Sequence, residues 1–226
     1  DVIALSLGEP DFDTPDFIKQ AAKKAVDDNF SHYTPVPGLL ELRKAISYKF
    51  KRDNGLDFRP EQIVVSTGAK QSLANVCLSL LNPGDEVLLP APYWVSYADI
   101  VNLAEGTPVQ ISSSVNKDFK VSASQIEEKI TDKTKILMFS SPCNPSGSVY
   151  TKEELTDIAK MLEKYPNIFI ISDEIYEHIN FTNIHFSIGS IPHLKDRVIT
   201  VNGVSKGFAM TGWRVGFIGA PLWIAK

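Results

Sequence analysis

The chain is predicted to be an α/β protein, a three-layer α/β/α arrangement around a mostly parallel sheet. Three observations lead there. From Ile63 onward, short apolar runs alternate with segments of helical periodicity, the pattern of a parallel sheet covered on both faces. Five of those runs end in polar residues of types that can serve one site, and ligands of such sheets bind beyond the strand ends. The 226 residues, 43% of them hydrophobic, are ample to bury one large core.

Taken in order, Ile3–Leu7 reads as a short strand that breaks at the turn-rich run Gly8-Glu9-Pro10-Asp11-Phe12. A helix is expected from Thr14 to about Asp28, with Pro15 in its first turn. His32 to Gly38 holds two prolines and is expected to be a stiff loop. Leu39, Leu42, Ile46 and Phe50 share one face of a helix that runs to Asn54 and stops at Gly55. Strands are then expected at Ile63–Val65, Glu86–Leu89, Val109–Ile111, Ile136–Phe139, Ile168–Ile171, Val198–Val201 and Val215–Ile218, seven in all. Helices fall between them at Gly68–Leu81, Trp94–Leu103, Ser122–Ile130 and Thr151–Lys164. The last opens with the capping box Thr151-x-x-Glu154.

Bulk properties narrow the function classes. A net charge of −4 leaves no basic surplus to neutralise phosphates, so no nucleic-acid partner is expected. No run approaches membrane-spanning length and the N-terminus has no charged and apolar leader pattern, so no membrane partner is expected and the location is read as cytoplasmic. Cys77 and Cys143 provide no disulfide framework. His32, His178, His185 and His193 do not stand at zinc spacing with cysteines, so no catalytic metal is expected.

The chemistry collects at the strand ends. Lys206 follows Ser205 just past an apolar strand, and Arg214 lies further on. A lysine on a partly dry rim beside another cation loses proton affinity and becomes a nucleophile; the alternative is a solvated loop lysine. Ser205 and Arg214 together suit an anion such as a phosphate. Ser66-Thr67-Gly68-Ala69-Lys70 opens a helix, either as an anion site of backbone N–H groups or as a plain N-cap. Trp94 either stacks on a flat ring or packs in the core. Asn144, in Pro142-Cys143-Asn144-Pro145, is either an aimed amide or a turn asparagine. Asp173 ends a wholly apolar strand, where burial without a partner is costly and a cationic ligand nitrogen would supply one. That strand also has the look of a Walker B element, but the chain carries neither a Walker A loop nor a G-x-G-x-x-G after a strand. A flat ring with an anionic tail, a basic ring nitrogen and an amine-reactive group meets all these demands. Pyridoxal 5′-phosphate has all four.

The ordered runs GEPDF, YTPVPG, STGAKQ, PYW, SPCNPSG, SDEIYE and NGVSKGFAMTGWRVGF resemble the class I/II aminotransferases among the fold-type-I pyridoxal-phosphate enzymes. The likeness is greatest to the bacterial aspartate aminotransferase subgroup and extends over essentially the whole chain. It implies a seven-stranded sheet with one antiparallel strand. It implies that Lys206 forms a Schiff base with the cofactor and transfers the proton, with ping-pong exchange between an amino acid (aspartate-like by default) and a 2-oxo acid such as 2-oxoglutarate. Asp173 would pair with the ring nitrogen, Tyr176 and Asn144 with the phenolic oxygen, and Trp94 would stack on the ring. Gly68, Ala69, Lys70, Ser205 and Arg214 would hold the phosphate, Tyr33 would reach the partner's phosphate across a homodimer, and Gly8 would contact the substrate, as would Trp94 and Asn144. The resemblance also implies a division into residues 1–36, the N-terminal segment and start of the large domain, and residues 37–226, the cofactor-binding large domain. The family's smaller C-terminal domain, with its substrate-gripping arginine, is expected to be missing, making this chain a fragment. A β-lyase or decarboxylase of the same fold type and a non-catalytic cofactor-binding regulator share these runs.

Overall fold

The computed structural model describes residues 8–182 and 185–226. The expected strand at Ile3–Leu7 lies outside them. The chain enters through helix α1 (Asp16–Asp27), for which Pro15 is the N-cap residue rather than part of the first turn. No residue of α1 is buried, and its Phe17 and Val26 are exposed. Helix α2 (Leu40–Lys49) continues into a π-helical turn, Phe50–Asn54, closed by Gly55 at φ 68°. The expected single helix therefore ends in a wider turn, whose last residue, Asn54, is buried. Of its apolar face, Ile46 and Phe50 are buried while Leu39 and Leu42 are exposed.

The seven predicted strands all form: β1 (Ile63–Ser66), β2 (Glu86–Pro90), β3 (Thr107–Ile111), β4 (Thr134–Ser140), β5 (Phe169–Asp173), β6 (Val198–Gly203) and β7 (Gly216–Gly219). They make one sheet in the order β1-β7-β6-β5-β4-β2-β3. β7 runs antiparallel to both neighbours and the other pairings are parallel. Side chains alternate between two covered faces. Val87, Leu89, Ile136 and Met138 face α3 (Ala69–Leu80) and α4 (Ser96–Leu103), packing on Leu73, Val76, Ile100 and Val101. Leu88, Leu137, Phe139 and Ile170 face α5 (Ala123–Glu127) and α6 (Lys152–Leu162), packing on Ile126, Leu155, Ile158 and Leu162. The three-layer reading holds.

Thr151 and Glu154 form the predicted capping box of α6, and Ser122 with Gln125 forms another for α5. α5 is shorter than its periodicity predicts, and α4 begins at Ser96, not Trp94. Helix α7 (Leu222–Ala225) follows β7. Among the described residues no helix is long and apolar enough to cross a membrane.

Candidate active site

Strand order fixes where a ligand can lie. From β2 the chain steps outward to β3, then returns to build β4, β5 and β6 on the other side, so the crossovers diverge between β2 and β4. Such a switch point leaves a crevice beyond the strand C-termini. β7 runs antiparallel and starts at this same rim, which brings Arg214 beside the residues that leave β6. β1, paired with β7 through Ser66 and Gly216, delivers the start of α3 there as well.

A cavity of about 720 Å³ occupies this rim, within the range that holds a cofactor-sized molecule. Ala69 and Lys70 line it from the start of α3, Trp94 from beyond β2, and Asn144 from beyond β4. Asp173 and Tyr176 enter from β5, and Ser205, Lys206 and Arg214 from the β6–β7 loop. Gly8 closes it from the N-terminal segment, where its carbonyl accepts a hydrogen bond from Lys206 Nζ. Ten residues predicted from separate stretches thus meet in one space. Gly68 stands just behind: at φ 88°, a Cβ added there would lie 2.2 Å from Arg214 Nη2, so the guanidinium packs directly on the glycine backbone. Gly216 is as constrained, because a Cβ there would reach the Ala69 backbone nitrogen at 2.2 Å. Tyr33 does not line this cavity and is fully exposed.

The electrostatics are uneven. Asp173 is buried, and this burial pushes its pKa up to about 6. Two donors restrain that rise: the Tyr97 hydroxyl, 2.7 Å from Oδ2, and the Ile175 N–H, 3.2 Å from Oδ1. No ion pair joins it to a cation among the described residues. Burial lowers the pKa of Lys206, Arg214 lowers it further, and Glu9 opposes both. The ammonium sits 5.7 Å from the centre of the Tyr176 ring. Burial, followed by the charge of Asp173, raises the Tyr176 phenol, against which Asn144 Nδ2 donates to its oxygen at 3.3 Å. Trp94 is half-buried, its ring edge-on to Tyr97 and its face 4.8 Å from Lys70 Nζ.

Tyr97 is a site residue that sequence reasoning missed. Its one legible hint is the i, i+3 spacing from Trp94; its partner lies 76 residues away. The polar cluster behind β5 was missed as well. Glu174, Glu177 and His185 bring their ligand-type atoms within 4.8 Å of one another. A cation already stands there, since Lys49 Nζ pairs with Glu177.

The donor set suits pyridoxal phosphate. A buried carboxylate lacks a cation, an amine of lowered pKa lines the same cavity, and a guanidinium seated on glycine backbone stands beside a helix start. Fold and site together define a lysine-centred α/β enzyme site at the switch point of a mixed sheet. The comparisons with known proteins narrow that class. Residues 1–226 match the family described as aminotransferase class I and II, and the chain belongs to that family, which works with pyridoxal 5′-phosphate. The chain is 50% identical over 224 residues to the aspartate/prephenate aminotransferase of Cereibacter sphaeroides, covering 98% of this chain and 56% of that protein. It is 53% identical over 219 residues to a probable aspartate/prephenate aminotransferase of Rickettsia felis, covering 96% and 54%. The aspartate aminotransferase of Thermus thermophilus with maleate superposes with a TM-score of 0.96 at 42% identity, covering 100% of this chain and 58% of that one. An aromatic aminotransferase of Pyrococcus horikoshii does so at 0.97 and 47%, covering 100% and 60%. The chain thus spans about half the length of the curated relatives it matches.

Proposed function

We propose that residues 37–226 form the cofactor-binding large domain of an aspartate aminotransferase-like enzyme, with residues 1–36 as its N-terminal segment and the start of that domain. The reading is carried by one observation: Lys206 and Asp173, 33 positions apart, line the same cavity together with Asn144, Tyr176 and Arg214. Bound pyridoxal phosphate supplies an aldehyde that exchanges amines and a ring that accepts electrons. Asp173 holds the proton on the ring nitrogen. Tyr176 and Asn144 donate to the ring oxygen, and Trp94 covers the ring face. Arg214, Ser205, the backbone at 68–69 and Lys70 hold the phosphate. Lys206, whose lowered pKa favours the free amine, moves the proton at the substrate Cα.

Aspartate is the proposed donor, with a 2-oxo acid such as 2-oxoglutarate as acceptor. Similarity to relatives named aspartate/prephenate aminotransferase supports prephenate, itself a 2-oxo acid, as a second acceptor. Gly8 is proposed to contact the substrate together with Trp94 and Asn144. Tyr33, exposed and not among the residues that line its own cavity, is proposed to complete the partner's site in a homodimer. The working location is proposed to be the cytoplasm. Steady-state kinetics of the full-length protein with varied aspartate and 2-oxoglutarate test this: parallel double-reciprocal lines are expected, and absence of oxaloacetate formation would refute it.

A further inference from the structure

The turn after β5 has two sides. Asp173 and Tyr176 face the cavity, while Glu174 and Glu177, offset by one residue, face into the protein. Behind the turn the two glutamates meet the end of the π-helical turn. Asn54, itself buried, donates from Nδ2 to Glu177 Oε2 at 2.7 Å and to Glu174 Oε2 at 3.2 Å, and its Oδ1 accepts from Lys49 Nζ at 2.7 Å. Both amide hydrogens and the carbonyl are therefore used. Further donors complete the carboxylates: Ser172 and Ser187 on Glu174, and Lys49 and Asn202 on Glu177. His185 approaches Glu174 at 2.9 Å and His178 approaches Glu177 at 3.4 Å. Among the described residues Asn54 is the one that hydrogen-bonds both carboxylates, and without it Glu174 and Glu177 approach each other with only Lys49 on the Glu177 side to offset their like charges.

We propose that Asn54 is a positioning residue for the cavity: by tying Glu174 to Glu177 it fixes the turn between them, and so sets where the Asp173 carboxylate and the Tyr176 hydroxyl stand. Asn54 is the last residue of the π-helical turn and is buried there. Asn202, four residues before Lys206 on β6, links the same network to the strand that delivers the lysine.

The inference rests on reading the cavity as a pyridoxal-phosphate site. The probe is pyridoxal phosphate itself, titrated into the full-length apoprotein by quenching of indole fluorescence, with the pH midpoint of the bound cofactor's absorbance as a second readout. Asn54→Ala is expected to weaken binding about tenfold and to move the pH midpoint by about one unit, as loss of an outer partner does elsewhere. Adding Glu174→Gln to that variant removes one charge and introduces an amide beside Glu177, and is expected to restore most of both. A merely structural role would leave the pH midpoint in place and show no rescue. Binding and midpoint within about twofold of the unsubstituted protein would overturn the proposal, as would a variant that is folded but not rescued. Loss of folding in both Asn54→Ala and the milder Asn54→Ser would overturn it in favour of a purely structural residue. Failure of the underlying reading shows differently, as no binding by the unsubstituted protein.

Discussion

Asp173 and Glu177 are four residues apart on one turn, are both nearly inaccessible, and have opposite environments. Burial dominates at Asp173 and raises its pKa to about 6. At Glu177 burial pushes the same way, but Lys49 and Asn54 outweigh it and the pKa falls below the ordinary glutamate value. One side of the turn is electrostatically complete within the chain, and the other is left short of a cation. An incomplete site costs stability and is retained where a ligand completes it. The contrast separates what the protein uses to stand from what it uses to bind.

Four substitutions in the full-length protein act on that contrast. Lys206→Ala has the largest effect: nearly all turnover and the visible absorbance of the cofactor-loaded protein are expected to vanish, and an unchanged spectrum would remove Lys206 from its role. Next, Lys49→Met breaks the complete side by leaving Glu177 buried without its ammonium partner. It is expected to cost about 3–5 kcal/mol in denaturant unfolding, and a loss below about 1 kcal/mol would show the pair to be dispensable.

Asp173→Asn probes the incomplete side, and its sign is reversed. A carboxyl whose folded pKa lies above its unfolded value stabilises most fully at low pH and loses that contribution as pH rises through about 6. Removing the charge is therefore expected to stabilise the apoprotein by up to about 3 kcal/mol above pH 7 while weakening cofactor binding. Glu177, with its lowered pKa, contributes stability that disappears only as pH falls through its folded value. Urea unfolding of apoprotein from acid to above pH 7 checks both signs. The smallest effect is expected from Tyr97→Phe: loss of a hydrogen bond to a buried carboxylate raises the Asp173 pKa further, by about one unit. Cofactor binding followed against pH would report the shift as a displaced midpoint.

Much of this was legible in the chain. The seven strands and their flanking helices follow from apolar runs, periodicity and caps, because strand and helix formation answer to neighbours a few residues away. Lys206, Asp173, Asn144 and Arg214 could be picked individually because each sits close to a strand end, where backbone direction carries it to the rim, whereas Gly8 and Tyr176 were legible only through the family resemblance. What was not legible is whatever depends on partners far along the chain. The hydroxyl of Tyr97 on Asp173, the amide of Asn54 between two glutamates, and the seat of Arg214 on Gly68 each join residues more than 70 positions apart. Nothing local distinguishes that tyrosine or that asparagine from others of its kind.

By itself, then, the amino-acid order determined the alternation of strands and helices, the apolar faces that close the three layers, and the placement of an amine, an acid and an amide at strand ends. Only the folded sheet decided which of those groups meet and in what state of charge. The reason is physical: secondary structure is set by local sterics and periodic burial, whereas a proton's affinity depends on everything within a few ångströms, and that company is assembled by strand order.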